Sequence, residues 1–207
     1  PSVPEIPENR PPVETSGASG ELPLNIGDGL ELVRITRYAG SFVEDGSDET
    51  VSDVCAITVR NAAGKTVQLA HVVLTLDGEN FDFELTTLPA GASVQLLELS
   101  RKPMPESFSA IAASATSYAA FDEEPSMYEN LFKIETQNTA ITVTNISEHD
   151  VSGQIYIYYK SAYDDLYMGG ITYRVGVSGL AAGSSATCYA GHYSVDYSKL
   201  MFISYVQ

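Results

Sequence analysis

The chain contains two copies of one pattern, and this internal repetition limits what it can fold into. The recurring landmarks are Ala-Ile-Thr-Val-Arg-Asn at 56–61 and Ala-Ile-Thr-Val-Thr-Asn at 140–145, Leu-Pro-Ala-Gly-Ala-Ser at 88–93 and Leu-Ala-Ala-Gly-Ser-Ser at 180–185, and Ser-Tyr at 117–118 and 204–205. They follow one order at offsets of 84, 92 and 87 residues. Self-similarity at a nearly fixed period indicates repeated structural units. Each unit here has the length of a small domain.

Both copies alternate apolar and polar side chains with a period of two, which is typical of strands with one buried face. The alternating runs are 57–60, 72–76 and 81–86 in the first copy, and 141–144, 155–160 and 171–177 in the second. In the run 155–160 the pattern predicts that Ile155, Ile157 and Tyr159 face inward. Tyr156 and Tyr158 are then predicted to face outward.

We therefore predict an all-β chain with two tandem immunoglobulin-like antiparallel β-sandwich domains after a disordered, proline-rich N-terminal tether. The immunoglobulin Cys–Trp–Cys signature is absent, since the chain has no Trp. The Ala-rich segment 108–121 is compatible with a helix, but its alignment with the end of the second copy favours a strand. The predicted boundaries are a tether at 1–26, an acidic sandwich at 27–122 and a Tyr-rich sandwich at 127–207, with the linker at 122–126.

The N-terminal segment predicts a location outside the cytoplasm. Residues 1–23 hold six of the ten prolines and almost no large apolar side chain, so they cannot bury enough surface to offset their ordering entropy. A mobile tether is useful when something upstream is fixed. We expect a secreted protein, or one attached to a membrane or lipid through an N-terminal anchor outside this sequence. A cytosolic protein with a mobile tail is the alternative.

Charge narrows the choice of partners. The formal net charge is −16 and the isoelectric point is near 4.3, whereas binding to nucleic acid or anionic lipid requires a basic surface. We expect no nucleic-acid partner and no direct contact with a membrane; protein or glycan remains. Acidic residues outnumber basic ones by 16 to 6 over 27–125 but only by 7 to 4 over 126–207. This predicts that the second copy makes the contacts and the first copy provides solubility.

The second copy carries a family resemblance. Ile-Thr-Val-Thr-Asn at 141–145 is followed by a Tyr-rich strand, by Gly-Gly-Ile-Thr-Tyr-Arg at 169–174, by Gly-Leu-Ala-Ala-Gly at 179–183 and by His192-Tyr193. This order resembles uncharacterised sandwich modules of Gram-positive cell-envelope proteins and, more distantly, FxLYD-type domains. The resemblance is best over 134–207 and weak over 50–120. It implies a secreted or surface-anchored module without enzymatic activity, and it carries over no binding residues.

No catalytic motif is visible. His71, His149 and His192 lie in separate contexts, and none has partners at the spacing of a zinc site or a catalytic triad. Phosphate-binding loops and nucleophile-elbow signatures are also missing from the sequence. We expect no enzyme; a glycan hydrolase is the remote alternative, and it would need two carboxylates about 5–10 Å apart.

The two cysteines, Cys55 and Cys188, exclude a disulfide-rich scaffold. Three interpretations stay open for them: buried free thiols that act as small apolar side chains, a disulfide between the two copies, or one reactive thiol.

The acidic segment 44–49 is the candidate cation site. Its carboxylates are Glu44, Asp45, Asp48 and Glu49, and Asp53 follows closely. Calcium binds six to eight oxygen ligands from such loops, although the spacing does not match an EF-hand. The alternative is a solvated loop of mutually repelling charges. No other cofactor is expected.

Tyrosine is concentrated in the second copy, where eleven of the thirteen fall at or after residue 128. The candidate binding residues are Tyr156, Tyr158, Tyr189 and Tyr193. Exposed tyrosines favour contacts with proteins or sugars because the ring is rigid, apolar and carries a hydroxyl. The alternative is a purely structural cluster, since aromatic pairs across strands also stabilise a sheet.

Together these features predict a non-catalytic binding module at a bacterial cell surface that contacts protein or glycan through its second copy. A structural spacer is the alternative function.

Overall fold

The computed structural model describes residues 22–41 and 50–206, and in these ranges the chain is all-β with no helix. The first seven strands are β1 (Leu24–Gly27), β2 (Leu30–Ser41), β3 (Thr50–Asn61), β4 (Val67–Leu76), β5 (Glu79–Leu88), β6 (Ser93–Leu97) and β7 (Ile111–Ala120). The other seven are β8 (Phe132–Gln137), β9 (Ala140–Asn145), β10 (Val151–Tyr163), β11 (Leu166–Met168), β12 (Tyr173–Leu180), β13 (Ser185–Tyr189) and β14 (Ser198–Tyr205). Nothing in the described ranges is a helix long and apolar enough to cross a membrane.

The strands form three sheets. The largest has the order β1-β2-β3-β6-β11-β10-β12, with β14 paired to the other side of β10. Two three-stranded sheets have the orders β5-β4-β7 and β13-β9-β8. All of these pairings are antiparallel except that of β6 with β11, which is parallel.

The first hydrophobic core lies between strands β1-β2-β3-β6 and the sheet β5-β4-β7. Leu32, Ile57, Val72, Phe83 and Val94 each contribute a side chain with no accessible surface. They come from five different strands, as the period-two pattern requires of inward positions. Burial of one such side chain contributes about 1.5–3 kcal/mol.

The second core is formed in the same way by residues after 126. Phe132 and Ile141 of the sheet β13-β9-β8 pack against Ile157, Val177 and Ile203 of β10, β12 and β14. The two cores are separate clusters of buried residues, one from each half of the chain apart from contacts at the junction.

The halves have the same strand order. The order β2-β3-β6 in the first matches β8-β9-β13 in the second, and β5-β4-β7 matches β12-β10-β14. β1 is extra in the first half. In the second half the connection from β10 to β12 contains β11, whereas β4 and β5 are joined by the short turn Asp77-Gly78.

A buried asparagine makes the same hydrogen bonds in both halves. The Asn61 side-chain amide donates to the carbonyls of Lys65 and Leu88, and its oxygen accepts from the backbone N–H of Ala63. The Asn145 amide donates to the carbonyls of His149 and Leu180, and its oxygen accepts from the backbone N–H of Ser147. Each asparagine thereby ties the end of one strand to the two loops beside it.

The halves are joined by the parallel pair β6–β11. Leu166, Tyr167 and Met168 lie opposite Ser93, Val94 and Gln95, and the Gly169 N–H donates to the Gln95 carbonyl at 2.8 Å. Met168 completes a small third core on the outer face of the first half. The other buried members of this core are Tyr38, Val54, Ala56 and Leu97.

The all-β prediction is confirmed, and the segment 108–121 contains strand β7 as its alignment predicted. One strand begins later than its alternation indicates: β12 starts at Tyr173, and Ile171 is 38% exposed and outside the second core. Residues 1–21 of the predicted tether lie outside the described residues. The predicted domain boundaries stay predictions.

Candidate functional site

Tyr156 and Tyr158 lie on the outer face of the sheet β12-β10-β14. Ile155, Ile157 and Tyr159 point into the second core and are buried, so the residues between them emerge on the opposite face because a strand alternates. Both tyrosines are half-buried. The alternation in the sequence had predicted this orientation.

The two rings belong to a row of aromatic side chains. The Tyr158 ring stacks on Phe202 with centroids 4.2 Å apart and planes at 10°, and Phe202 meets the edge of Phe121 at 5.5 Å. The Arg174 guanidinium lies 4.8 Å from the Tyr156 centroid. We call these five side chains the aromatic face: Phe121, Tyr156, Tyr158, Arg174 and Phe202.

Arg174 bridges the two tyrosines. It hydrogen-bonds to Tyr158, and this bond raises the pKa of the guanidinium. Tyr156 in turn covers Gly176 on the neighbouring strand: a Cβ at Gly176 would lie 2.9 Å from Tyr156 Cδ1. The ring thus occupies the space that a side chain on β12 would fill, and part of its role is to pack on the sheet.

Four of the five side chains of the aromatic face lie on β10, β12 and β14, which have no acidic residue; the fifth, Phe121, follows β7 and precedes Asp122, Glu123 and Glu124. β10, β12 and β14 contain Lys160, Arg174 and Lys199 but no Asp or Glu, in a chain with 27 acidic residues. On these strands the aromatic face carries Arg174 and no carboxylate, whereas the acidic residues 122–124 adjoin it at Phe121.

The other two candidate tyrosines lie elsewhere. Tyr189 ends β13 in the opposite sheet and is 77% exposed. Tyr193 is 4% exposed in the second core, where it meets the ring edge of Tyr159 with centroids 5.4 Å apart. The structure thus brings Tyr156 and Tyr158 together, and it places Tyr189 and Tyr193 outside their surface.

The candidate calcium ligands Glu44, Asp45, Asp48 and Glu49 lie outside the described residues, and the site stays a prediction. Asp53, which follows them, forms an ion pair with Arg37. Over 22–41 and 50–206 there is no group of three or more His, Cys, Asp or Glu side chains that could hold a metal ion.

The histidines are far apart in the fold. His71 Nε2 lies 3.0 Å from Asp82 Oδ1 on the outer face of β4 and β5. His192 stacks on Tyr173 at 4.7 Å, and the His149 backbone carbonyl accepts the Asn145 amide.

Cys55 and Cys188 are both free thiols. Burial, with a smaller effect from Glu98, raises the pKa of Cys55 to about 12. Burial also raises the pKa of Cys188. The structure has no disulfide between Cys55 and Cys188. The raised pKa of each thiol disfavours the thiolate, which is the reactive form.

The sequence did not reveal the junction between the halves as a polar site. The Lys160 side chain is fully buried there, and its Nζ donates to the Thr86 carbonyl at 2.9 Å and the Ile171 carbonyl at 3.2 Å. Burial lowers the pKa of this amine to about 7. The Thr86 hydroxyl donates to the Gly170 carbonyl and contacts the Thr172 hydroxyl. Alternation placed Lys160 on the outer face, and the first half of the chain covers it.

A groove of about 340 Å³ opens beside this network. Its walls come from both halves: Glu84, Thr86, Leu97, Leu99, Arg101, Gly170, Ile171 and Thr172. Glu84 is the one carboxylate among these lining residues. The groove therefore lacks the carboxylate pair that a glycan hydrolase requires.

Replacing Gly170 by alanine should weaken the junction by about 2 kcal/mol, which is typical of overpacking. A Cβ at Gly170 would overlap the Glu84 carbonyl oxygen, and relief of the clash would break the 2.8 Å bond from Thr86 N–H to the Gly170 carbonyl. Urea unfolding monitored by tyrosine fluorescence measures the change. Gly191→Ala is the matched control, because no atom lies within 4 Å of its Cβ position. Equal stability of the two variants would contradict the tight contact.

The chain matches no protein-family model, and no curated protein matches it significantly.

Proposed function

We propose that this protein is a pair of tandem immunoglobulin-like β-sandwich modules that acts as a non-catalytic protein-binding unit at a bacterial cell surface. The equal strand orders of the two halves and the matching hydrogen bonds of Asn61 and Asn145 support a duplicated module. In immunoglobulin folds strands A, B and E are neighbours, and strand C lies between C′ and F. β2-β3-β6 and β5-β4-β7 have these neighbour relations.

The aromatic face is the single observation that carries the binding function. Tyr and Arg are the residues most enriched at the energetic centres of protein interfaces, and here they form one row on an open sheet. β10, β12 and β14 are free of carboxylates, and acidic residues adjoin the aromatic face at Phe121, which precedes Asp122, Glu123 and Glu124. Along these three strands an acidic group of a partner meets Arg174 and no carboxylate.

The packing of the rings favours a protein partner over a glycan. Sugars stack on open ring faces, but one face of Tyr158 is covered by Phe202 and one face of Tyr156 by Arg174. These contacts reduce the open ring surface that a sugar would need, and the row also carries phenol hydroxyl groups and guanidinium donors. These groups suit the mixed polar and apolar surface of a protein.

The location outside the cytoplasm rests on the proline-rich N-terminal segment and on the resemblance to Gram-positive envelope modules. The tether and its N-terminal anchor belong to this proposal.

A structural spacer is the second candidate, and the junction supports it. The parallel β6–β11 pair, the buried Lys160 and the Thr86–Gly170 bonds join the two halves through backbone as well as side-chain contacts. A spacer benefits from such a joint because it fixes the angle between modules.

The test uses this protein immobilised on a solid support. Solubilised surface proteins and purified cell walls from Gram-positive bacteria are added to it in separate binding experiments. We expect Tyr158→Ser to lower protein binding at least tenfold, as loss of a hot-spot side chain does. Tyr163→Ser is the matched control, since this exposed tyrosine ends β10 outside the aromatic face. Unchanged binding by Tyr158→Ser and by Tyr156→Ser would contradict the proposal and favour the spacer. Binding to cell walls alone would identify a glycan as the ligand.

A further inference from the structure

Besides the additional strand β1, the two halves differ at the sheet edge formed by β6 in the first half and β13 in the second. β6 pairs with β3 on one side and with β11 on the other. β13, its equivalent in the second half, pairs with β9 on one side only, and no strand in the described parts of the chain pairs with its other edge.

The register shows which residues correspond. Thr58 lies opposite Gln95 as Thr142 lies opposite Thr187, and Arg60 lies opposite Ser93 as Thr144 lies opposite Ser185. Ser185, Thr187 and Tyr189 therefore take the places of Ser93, Gln95 and Leu97, and Ala186 and Cys188 those of Val94 and Leu96.

The residues at the open edge are more exposed than their equivalents in the first half. Leu97 is 6% exposed in the third core, which Met168 completes beside Tyr38, Val54 and Ala56, whereas Tyr189 is 77% exposed. On the inner side, Val94 is fully buried and belongs to the first core, against which Tyr167 packs. Its equivalent Ala186 is only half-buried.

We propose that the open edge of β13 is a docking site for an extended apolar strand of another β-sandwich module, bound in parallel as β11 is bound to β6. β13 has the sequence Ser-Ala-Thr-Cys-Tyr, without the charges or proline that protect exposed edges. The Thr187 carbonyl is equivalent to the Gln95 carbonyl, which accepts the Gly169 N–H.

The geometry defines the partner strand. It needs an apolar residue at the position of Met168, which would cover Tyr189, and a larger side chain at the position of Tyr167, which would reach the half-buried Ala186. Leu166-Tyr167-Met168 satisfies this pattern, but within one chain it is already paired with β6. The occupant is therefore a separate module with a comparable inserted strand. The inference uses a different surface from the aromatic face and does not depend on it.

Thiol capture tests the docking. The full chain carries Ser185→Cys and Cys188→Ala, and the probe is a synthetic peptide of residues 162–172 with Leu166→Cys. In the register of β6 and β11 these positions are opposite, and strands about 4.8 Å apart fit the Cα separation of a disulfide. In a glutathione buffer we expect this peptide to form at least tenfold more mixed disulfide with the chain than a peptide of the same residues in scrambled order.

A second pair of positions repeats the test: Thr187→Cys in the chain and Met168→Cys in the peptide, because Met168 lies opposite Gln95, the equivalent of Thr187.

Two controls separate docking from general reactivity. Ser152→Cys places the thiol at an exposed position on β10 and should show no preference between the peptides. Tyr189→Ala in the capture variant should lower the preference at least threefold, because the apolar cover is lost. Equal capture of both peptides at position 185 and at position 187 would overturn the proposal. The proposal would also be overturned if the unmodified chain formed a dimer and Tyr189→Ala abolished that dimer. In that case β13 would pair with β13 of a second copy.

Discussion

Replacing Asn145 by alanine should destabilise the protein by about 3 kcal/mol. The side chain is fully buried, donates to two backbone carbonyls at 2.8 and 3.0 Å and accepts one backbone N–H at 3.0 Å. Alanine removes the partner of the Leu180 carbonyl and of the Ser147 N–H, whereas the His149 carbonyl keeps the Ser147 hydroxyl at 3.0 Å; an unsatisfied buried polar group costs about 1–3 kcal/mol. Asn61→Ala should have a similar effect, because Asn61 makes the corresponding bonds to Lys65, Leu88 and Ala63.

Equilibrium unfolding in urea measures both changes. Asn80→Ala is the control, since Asn80 is exposed and its side chain bonds only to the Thr75 hydroxyl among the described contacts; a surface change of this kind usually stays within about 0.5 kcal/mol. If Asn61→Ala and Asn145→Ala behaved like the control, the two asparagines would not hold the strand ends, and the case for a duplicated module would weaken.

Replacing Lys160 by methionine should change the pH dependence of stability by several kcal/mol between pH 7 and pH 10.5. Burial lowers the pKa of Lys160 from 10.5 to about 7 in the folded protein. In this window the unfolded chain binds a proton at Lys160 that the folded chain does not, so the amine lowers stability as the pH falls from 10.5 to 7. One pKa unit corresponds to about 1.4 kcal/mol.

We expect Lys160→Met to be more stable than the parent protein at pH 7. At pH 10 it should be equal or less stable, because the Thr86 and Ile171 carbonyls lose a donor and the parent amine is neutral. Other groups that titrate in this range cancel in the difference between the two proteins. Urea unfolding at several pH values measures it, and Lys199→Met, which removes a half-exposed lysine on the neighbouring strand, is the control. A difference independent of pH would show that Lys160 stays charged at the junction.

Sequence reasoning identified the strands because each one buries a single face. Ile57 and Val59, and likewise Ile155 and Ile157, alternate with polar or half-buried residues, and all four are fully buried in the structure. The outward orientation of Tyr156 and Tyr158 follows from the same period. The burial of Tyr193 was not predictable, because Tyr193 lies outside any strand and has no periodic neighbours.

The sequence by itself determined the all-β class and the inward and outward positions along the longer strands, since these depend on local alternation. Only the tertiary structure decided how the two halves meet. Asp164-Asp165 has the sequence of a hairpin tip, and the three residues of β11 that follow, Leu166–Met168, are too few to show a period. The pairing of β11 with β6 and the burial of Lys160 arise because the first half covers that end of β10. Contacts between residues so distant in sequence do not affect local hydrophobic periodicity. For the same reason, the open edge of β13 could be recognised only by comparison with β6, its paired equivalent in the structure.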